Sequence, residues 1–393
     1  MSSLLKTIEN QLKEWLIETR KWFHKHPELS FKEFETSKKI ESLLKEWGFQ
    51  IDRSFSKTSI IATLKNGNGK CLAIRSDMDA LPLKEETNLE YKSINEGCMH
   101  ACGHDGHMTI ALGAAKYISE KRNFKGTVMF IFQAAEEIGS GAKEIISNGL
   151  FEKYNIDFII GLHGMSNVTI GKELKEGTIC FYSKNDAMMA STNIFEIIFK
   201  GRGGHGSSPE DTIDPIPSAI EFINSIYYLK NRNVPSKNRC VLSVCNISSG
   251  SASAGNIIPD YCVVKGTFRT VDEATRKLFE SKIKEYAECS AKKFGLSLEF
   301  KSLGNDAVYN DFELNEKIKE ITINELGNKF VNETEQVMGG EDFSFYGQKV
   351  PSVFVFISTG DKCPIHNSKY DFGDKSLTYG VTYFVNTINK LLV

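Results

Sequence analysis

The chain has 393 residues, of which 41% are hydrophobic and 25% charged, an ordinary composition for a globular protein of two or perhaps three domains. The 48 Lys and Arg residues nearly balance 50 Asp and Glu residues, so no charge excess favours binding to nucleic acid or to an anionic membrane. No apolar run approaches the ~18 residues of a membrane helix, and the charged first residues do not resemble a signal peptide. The nine cysteines show no disulfide framework, which indicates that most are buried free thiols. We therefore expect a cytoplasmic protein.

Several elements can be predicted in chain order. Charged and apolar residues mix at helical spacing over residues 2–21, which predicts an opening amphipathic helix. Helical segments then separate short apolar runs typical of buried strands, namely CLAIRSD (71–77), TVMFIFQ (127–133), DFIIGLH (157–163) and PSVFVFIS (351–358). Alternating strands and helices favour an α/β domain whose sheet is largely parallel.

The pattern changes between the third and the fourth of these strands. Residues from about 191 to 303 contain a strand, a helix, two strands, a long helix and a last strand, an order typical of a split β-α-β sandwich. We predict a large α/β domain at 1–188 and 305–393, with a mixed sheet and helices on both faces. A smaller α+β (β-α-β-β-α-β) domain is inserted at 189–304.

Cysteine and histidine occur together in the segment MHACGHDGH. Cys102 and His104 stand two residues apart before a helix-like stretch, so a thiolate and an imidazole emerge from one short turn. Such a turn can hold Zn²⁺, Mn²⁺, Co²⁺ or Ni²⁺. The alternative is a helix-capping loop with incidental polar residues.

Two adjacent glutamates, Glu136 and Glu137, follow TVMFIFQ at the carboxyl end of a buried strand, where open α/β sheets bind ligands. Consecutive extended residues point in opposite directions. One carboxylate can therefore bind a metal while the other faces a metal-bound water as a general base. The alternative is the solvated start of a helix.

Other strand ends carry similar side chains. His163 ends DFIIGLH, and His366 follows PSVFVFIS. Asp77 and Asp79 follow the buried part of CLAIRSD, where one of them could orient a histidine ligand, although an Asp before Ala-Leu-Pro also suits a turn. The convergence of Cys, His and Glu side chains at three strand ends predicts a metal site.

In the order and spacing of its motifs, the chain resembles the metal-dependent amidohydrolases of the aminoacylase and carboxypeptidase superfamily. Within this superfamily it is similar to the branch of hippurate hydrolases, N-acyl-amino-acid amidohydrolases and plant auxin-conjugate hydrolases. The motifs are HKHPELSF, RSDMDALPL, MHACGHDGHM, QAAEE, GLH, GRGGHGSSP, NIIPD with a later FR, GGEDFSF and IHNSKYDF. They extend over essentially the whole chain.

This resemblance implies two divalent metal ions in the large domain, with Zn, Mn, Co and Ni all compatible. Carried over by motif position, Cys102 is a bridging thiolate. The resemblance assigns His104 and His163 to one metal, and Glu137 and His366 to the other.

The resemblance also implies catalytic and substrate-binding residues. Glu136 is the expected general base that activates a metal-bridging water. From its own position after the buried strand, we also count Asp79 among the catalytic residues. His205 in the inserted domain is expected to stabilise the oxyanion, often in a neighbouring subunit. Asn256 and Arg269 are expected to hold the substrate carboxylate. Without the resemblance, His205 would be interpreted as part of a glycine-rich hairpin. Asn256 would be an ordinary loop amide, and Arg269 an arginine on the surface of a strand.

The function that this resemblance implies is hydrolysis of the amide bond of N-acyl amino acids, such as hippurate-like or N-acetyl substrates. The expected partners are this small molecule and further copies of the chain, in a homodimer or higher homo-oligomer through the inserted lid domain. A metallo-dipeptidase or carboxypeptidase is the alternative enzyme. A non-catalytic scaffold is a further alternative, against which the presence of Glu136 argues, and Cys102 could instead be a redox sensor.

Overall fold

A computed structural model describes residues 2–393. The helices are α1 (Ser3–Lys25), α2 (Phe34–Glu46), α3 (His104–Lys121), α4 (Gly141–Ser147), α5 (Leu150–Lys153), α6 (Asn167–Ile170), α7 (Ile216–Asn233), α8 (Glu273–Lys293), α9 (Phe312–Leu326), α10 (Ser344–Gly347) and α11 (Asp374–Leu391). The strands are β1 (Gln50–Asp52), β2 (Ile60–Asn66), β3 (Cys71–Asp77), β4 (Gly126–Gln133), β5 (Phe158–Met165), β6 (Ile179–Phe181), β7 (Ser191–Lys200), β8 (Gly204–His205), β9 (Cys240–Ser249), β10 (Ile257–Ile258), β11 (Tyr261–Thr270), β12 (Ser297–Asn305), β13 (Val331–Glu333) and β14 (Ser352–Ser358). Among the described residues, no helix combines the length and the apolar character that a membrane span needs.

Two compact units divide the chain. The first comprises residues up to Asn185, Tyr309–Glu335 and Asp342–Val393, and the second comprises Asp186–Val308 and Gln336–Glu341. The second unit contains the whole of the predicted insert, 189–304. It extends a few residues beyond that insert at each end and takes up a short later segment.

The first unit contains an eight-stranded mixed sheet in the order β1-β2-β4-β3-β5-β14-β6-β13. The four strands predicted from apolar runs are neighbours in the order β4-β3-β5-β14, and all three pairs are parallel. Every residue of β3 and of β14 is buried, which explains their continuous apolar sequences. β2 and β4 pair antiparallel, as do β14 and β6, so the predicted mixed sheet is confirmed.

Helices cover both faces of this sheet. Val353, Val355 and Ile357 of β14 belong to an apolar core that also contains residues of α1, α3 and α11. Phe354 points to the opposite face. There its ring lies 4.8 Å from that of Phe343, directly before α10. The carboxyl ends of the central strands thus lie on a rigid, buried support.

Helix α1 contributes two buried cations to a cluster of ionised side chains. Arg20 is fully buried, and its Nη1 lies 3.2 Å from Asp105 Oδ2 and 3.0 Å from Asp371 Oδ1. His24 Nδ1 lies 2.9 Å from Asp105 Oδ2, and its Nε2 lies 3.4 Å from Glu85 Oε1. Both ring nitrogens of His24 therefore face carboxylates, an arrangement that favours the imidazolium.

His24 should make the stability of the protein depend on pH. Burial lowers the pKa of His24, but the Asp105 and Glu85 carboxylates outweigh this and raise it to about 9, above the ordinary 6.5. The stabilisation is therefore complete below the unfolded pKa and is lost as the pH rises through the folded one. Between these two pH values we expect wild type to lose up to ~3 kcal/mol more unfolding free energy than His24→Gln, measured by urea denaturation. Equal losses in both proteins would contradict a charged His24.

The second unit contains a four-stranded antiparallel sheet in the order β12-β7-β11-β9. Helices α7 and α8 pack against each other and against this sheet. Its core includes a contact between Phe199 of β7 and Phe222 of α7, whose rings lie 5.8 Å apart, and one between Phe268 of β11 and Phe279 of α8, also 5.8 Å apart. The observed chain order β7-α7-β9-β11-α8-β12 confirms the predicted β-α-β-β-α-β arrangement, to which β8 and β10 add a small separate pair.

Candidate metal centre

Cys102 and His104 are presented by a tight turn at the start of α3. Gly103 between them has φ +90°, a conformation that glycine adopts without steric cost. A Cβ at this position would lie 2.7 Å from the hydroxyl of Tyr370. The turn places Cys102 Sγ 3.3 Å from Nε2 of His163 on β5. One potential ligand atom each from Cys102, His104 and His163 lies within 4.8 Å of the other two.

A second group shares the same thiol. Cys102, Glu137 and His366 also offer ligand atoms that lie within 4.8 Å of one another. His366 Nε2 lies 3.5 Å from Glu137 Oε2. The His366 backbone has φ +62° and its N–H donates to the Ala101 carbonyl at 2.7 Å, which fixes this loop beside the turn of Cys102. The structure thus brings together all five predicted ligands, in two groups that meet at one sulfur.

The histidine rings are oriented by hydrogen bonds to main-chain carbonyls. His104 Nδ1 lies 2.8 Å from the Asp79 carbonyl oxygen, and His163 Nδ1 lies 2.9 Å from that of Gly164. Because a carbonyl oxygen only accepts hydrogen bonds, each Nδ1 carries the proton. When the ring is neutral, as metal binding requires, the lone pair is on Nε2, the atom that faces the centre.

Two of the potential ligand atoms are buried without a hydrogen bond in the described part of the chain. His104 Nε2 and Glu137 Oε1 are buried, and neither has a hydrogen-bond partner among residues 2–393. Buried polar atoms are normally paired, so these two atoms require a cation or water. Thiolate, imidazole and carboxylate donors together suit Zn²⁺ and similar ions. The residues present therefore fit two divalent ions.

The electrostatics of the apoprotein also indicate a need for cations. Burial, together with Glu137 and Glu136, raises the pKa of Cys102 well above its usual range. Burial likewise raises the pKa of Glu137 to about 7. Ligands must be deprotonated to bind a metal, so bound cations would stabilise the ionised forms that burial disfavours.

The conformation of Glu136 and Glu137 differs from the prediction that their side chains point in opposite directions. Glu136 and Glu137 lie in a turn, in which the Gly139 N–H donates to the Glu136 carbonyl at 2.7 Å, and not in extended chain. Their carboxylates do not diverge. Glu136 Oε2 is 3.9 Å and Glu137 Oε1 is 3.8 Å from His104 Nε2. The prediction of opposite directions was wrong because Ala135, with φ +56°, ends the extended conformation before the pair.

Asp79 lies behind this turn. Its Oδ1 accepts the Glu136 N–H at 3.0 Å, and its Oδ2 accepts the Glu137 N–H at 3.1 Å and the Ser30 hydroxyl at 2.6 Å. Burial opposes ionisation, but His104 and these hydrogen bonds lower the pKa of Asp79 below its ordinary value. An ionised Asp79 therefore holds both glutamates and the first residue of α3 in one arrangement.

A buried network of hydrogen bonds and ion pairs, which was not predicted from the sequence, lies next to the ligands. His107 Nδ1 donates to Asp77 Oδ1 at 2.8 Å, and His107 Nε2 accepts the Gly164 N–H at 2.6 Å. Arg75 donates to Asp77 at 2.9 Å and to Asp342 at 2.8 Å. His107 and Asp342 belong to the motifs MHACGHDGHM and GGEDFSF, which was the available signal. Only the fold shows that His107 is bonded to the strand carrying His163, and that Asp342 is bonded to Arg75 of β3.

The remaining predicted residues lie in the second unit. His205 is in β8 opposite Ile257 of β10, and the Gly206 N–H donates to the Asn256 carbonyl at 2.8 Å, so His205 and Asn256 are neighbours. The exposed His205 ring accepts the Ser207 hydroxyl at Nδ1. Arg269 is in β11 of the four-stranded sheet, where its Nη1 donates to the Met338 carbonyl at 2.8 Å.

Comparisons with known proteins agree with this arrangement. A sequence model of peptidase family M20/M25/M40 matches residues 73–390. The hippurate hydrolase of Campylobacter jejuni is 38% identical over 376 residues, with 95% of each protein covered. The N-acetylcysteine deacetylase of Bacillus subtilis is 37% identical, with 94% of each covered. The solved structure of a dinuclear metal-binding M20 peptidase from Bacillus subtilis matches with a TM-score of 0.80 at 34% identity, covering 98% of this chain and 99% of that one.

Proposed function

Because the chain belongs to peptidase family M20/M25/M40, a family of metal-dependent amidohydrolases and peptidases, we propose that it hydrolyses the amide bond of N-acyl amino acids. The observation that carries this proposal is the Cys102 thiol shared by two potential ligand groups, with Glu136 next to them. The similarity to a hippurate hydrolase and to an N-acetylcysteine deacetylase supports a benzoyl- or acetyl-amino acid as substrate.

Two divalent ions are part of the proposal. Cys102, His104 and His163 would hold one ion, and Cys102, Glu137 and His366 would hold the other. When bound, two such ions polarise an amide carbonyl and lower the pKa of a water molecule. Zn, Mn, Co and Ni all suit this mixed set of sulfur, nitrogen and oxygen donors.

Glu136 is proposed as the general base. Its carboxylate belongs to the same turn as Glu137 but is not needed for either ligand group. It can accept the proton of the attacking water and deliver it to the leaving nitrogen. Asp79 fixes the backbone of both glutamates and so keeps base and ligand at a constant separation.

The second unit is proposed to bind the substrate and a second copy of the chain. His205 would stabilise the oxyanion, and Asn256 and Arg269 would hold the free carboxylate. Within residues 2–393, strand β9 pairs with β11 alone and lies at an edge of its sheet, with Val241 38% and Ile247 50% exposed. Such an edge can pair with another copy. Sedimentation equilibrium should then give at least twice the mass of one chain, and a monomer at micromolar concentration would contradict this part.

Arg269 provides a test of carboxylate recognition. A guanidinium loses its charge-assisted hydrogen bonds when truncated, so Arg269→Ala should raise KM for an N-acyl amino acid by roughly 10–100-fold. KM for the corresponding amino-acid amide should change far less. Lys265→Ala, on the same strand, is the matched control and should affect neither substrate. An equal rise in KM for the N-acyl amino acid and for its amide would show that Arg269 does not recognise the carboxylate.

The experiment that tests the proposed function is amine release from benzoyl-, acetyl- and longer-acyl amino acids and from dipeptides. Metal-stripped protein is reloaded separately with Mn²⁺, Co²⁺, Ni²⁺ and Zn²⁺. We expect hydrolysis of at least one acyl-amino acid. Hydrolysis of dipeptides alone would favour the peptidase alternative, to which the similarity to a solved M20 peptidase also points. If no substrate released an amine although two metal ions were bound, a non-catalytic scaffold would be favoured.

A further inference from the structure

The turn that carries the two glutamates is held by side chains from the amino-terminal part of the chain. The Ala135 N–H donates to Glu33 Oε1 at 3.0 Å, and the next two N–H groups donate to Asp79. The N–H of Ala134 donates to Ser59 Oγ at 3.0 Å. Four consecutive backbone donors are therefore satisfied by side chains, and regular secondary structure satisfies none of them.

Glu33 acts where this turn is most strained. Ala135 has φ +56°, a left-handed conformation that residues with a Cβ rarely adopt. Glu33 is fully buried, and its Oε1 also accepts the Phe31 N–H at 3.0 Å while Oε2 accepts the Thr58 hydroxyl at 2.7 Å. The carboxylate is thus held on both oxygens and cannot follow Ala135 if the turn relaxes. Without it, the buried Ala135 N–H would have lost its acceptor.

We propose that Glu33 is a positioning residue, which fixes the left-handed turn at Ala135 and thereby sets the positions of Glu136 and Glu137. Glu33 precedes residue 73, where the family match begins, and it reaches the turn through the N–H of Ala135. This inference rests on the proposed function, because it assigns Glu33 to the same metal centre. It gives a role to the segment directly after the motif HKHPELSF.

Two substitutions distinguish the effect of the length of the Glu33 side chain from the effect of its charge. Gln has the same length and keeps an oxygen for the Ala135 N–H, whereas Asp keeps the charge but is one methylene shorter. In a calorimetric titration of metal-stripped full-length protein with Mn²⁺, Glu33→Asp should weaken binding at one of the two sites by about 10–100-fold, with a parallel loss of kcat. Glu33→Gln should stay within about threefold of wild type, because the hydrogen bond to Ala135 is retained.

Glu28→Gln and Glu28→Asp are the matched controls. Glu28 belongs to the same segment, and its carboxylate accepts the N–H groups of Glu35 and Thr36 at the start of α2 instead of contacting the turn. Both variants should lower the melting temperature without changing Mn²⁺ affinity.

The inference would be overturned if folded Glu33→Asp bound both Mn²⁺ ions as tightly as wild type. It would also be overturned if Glu28→Asp weakened Mn²⁺ binding equally, or if Glu33→Gln lost as much as Glu33→Asp. If Glu33→Asp does not fold, the Gln variant alone decides: a 10–100-fold weakening in that folded protein contradicts the inference. A wild-type protein that binds fewer than two Mn²⁺ ions would count against the proposed function, before Glu33 is considered.

Discussion

Glu136→Gln should abolish turnover while both metal ions remain bound. Gln has nearly the same size and shape as Glu but cannot accept the proton of the attacking water. General-base catalysis contributes roughly 10²–10⁴-fold, so kcat should fall by this factor. Glu136 is dispensable for both ligand groups that meet at Cys102, which is why metal content should not change. The measurements are kcat on the preferred acyl-amino acid and metal content by atomic emission.

Glu137→Gln is the matched comparison for this experiment. The two glutamates are adjacent in one turn, and their carboxylates lie at similar distances from His104 Nε2. Only Glu137 belongs to the group with Cys102 and His366. Its substitution should therefore release a metal ion as well as lower kcat. The assignment of the general base would be wrong if metal-loaded Glu136→Gln kept more than about a tenth of the wild-type rate.

Cys102→Ala should lose metal and activity together. The Cys102 sulfur belongs to both ligand groups, so its removal takes a donor from each ion at once. Loss of a residue that only orients a ligand already costs about 10–100-fold in metal affinity, and loss of a shared ligand should exceed this. Calorimetric titration with Mn²⁺ or Zn²⁺ and the rate of the reloaded protein are the two measurements.

Cys180→Ala is the matched control, because Cys180 is another buried free cysteine and lies in β6. This variant removes the same atoms from the core, so it controls for the cavity that a Cys→Ala substitution leaves. It should bind two ions with wild-type affinity. Two ions bound as tightly to folded Cys102→Ala as to wild type would exclude Cys102 as a bridging ligand. In the wild-type protein, the Cys102 thiol should also resist alkylation until the metal is removed by a chelator.

Much of the fold could be predicted from the sequence because it depends on local patterns. Continuous apolar runs identified β3, β4, β5 and β14, since strands buried on both sides need apolar residues at every position. The order of elements between β7 and β12 followed from the same kind of pattern. Free, mostly buried cysteines were also expected from their irregular spacing, and all nine are free with six of them buried.

The residue types of the candidate site were equally visible, because the motifs keep them at short, fixed spacings. The sequence by itself determined the family and the set of residues from which a metal centre could be built. It could not determine how Glu136 and Glu137 are oriented. That orientation depends on a left-handed residue, Ala135, whose N–H is bonded to a carboxylate 102 residues earlier in the chain.

The tertiary structure alone decided which atoms meet. Hydrogen bonds such as those from Ala135 to Glu33, and from Arg75 to Asp342 267 residues later, form only when distant segments pack together. No periodicity along the chain reports such contacts, since the two partners lie in different elements that are far apart in the sequence. The sequence therefore determines the chemistry available to this protein, and the packing of its amino-terminal segment against the strand ends determines where that chemistry is placed.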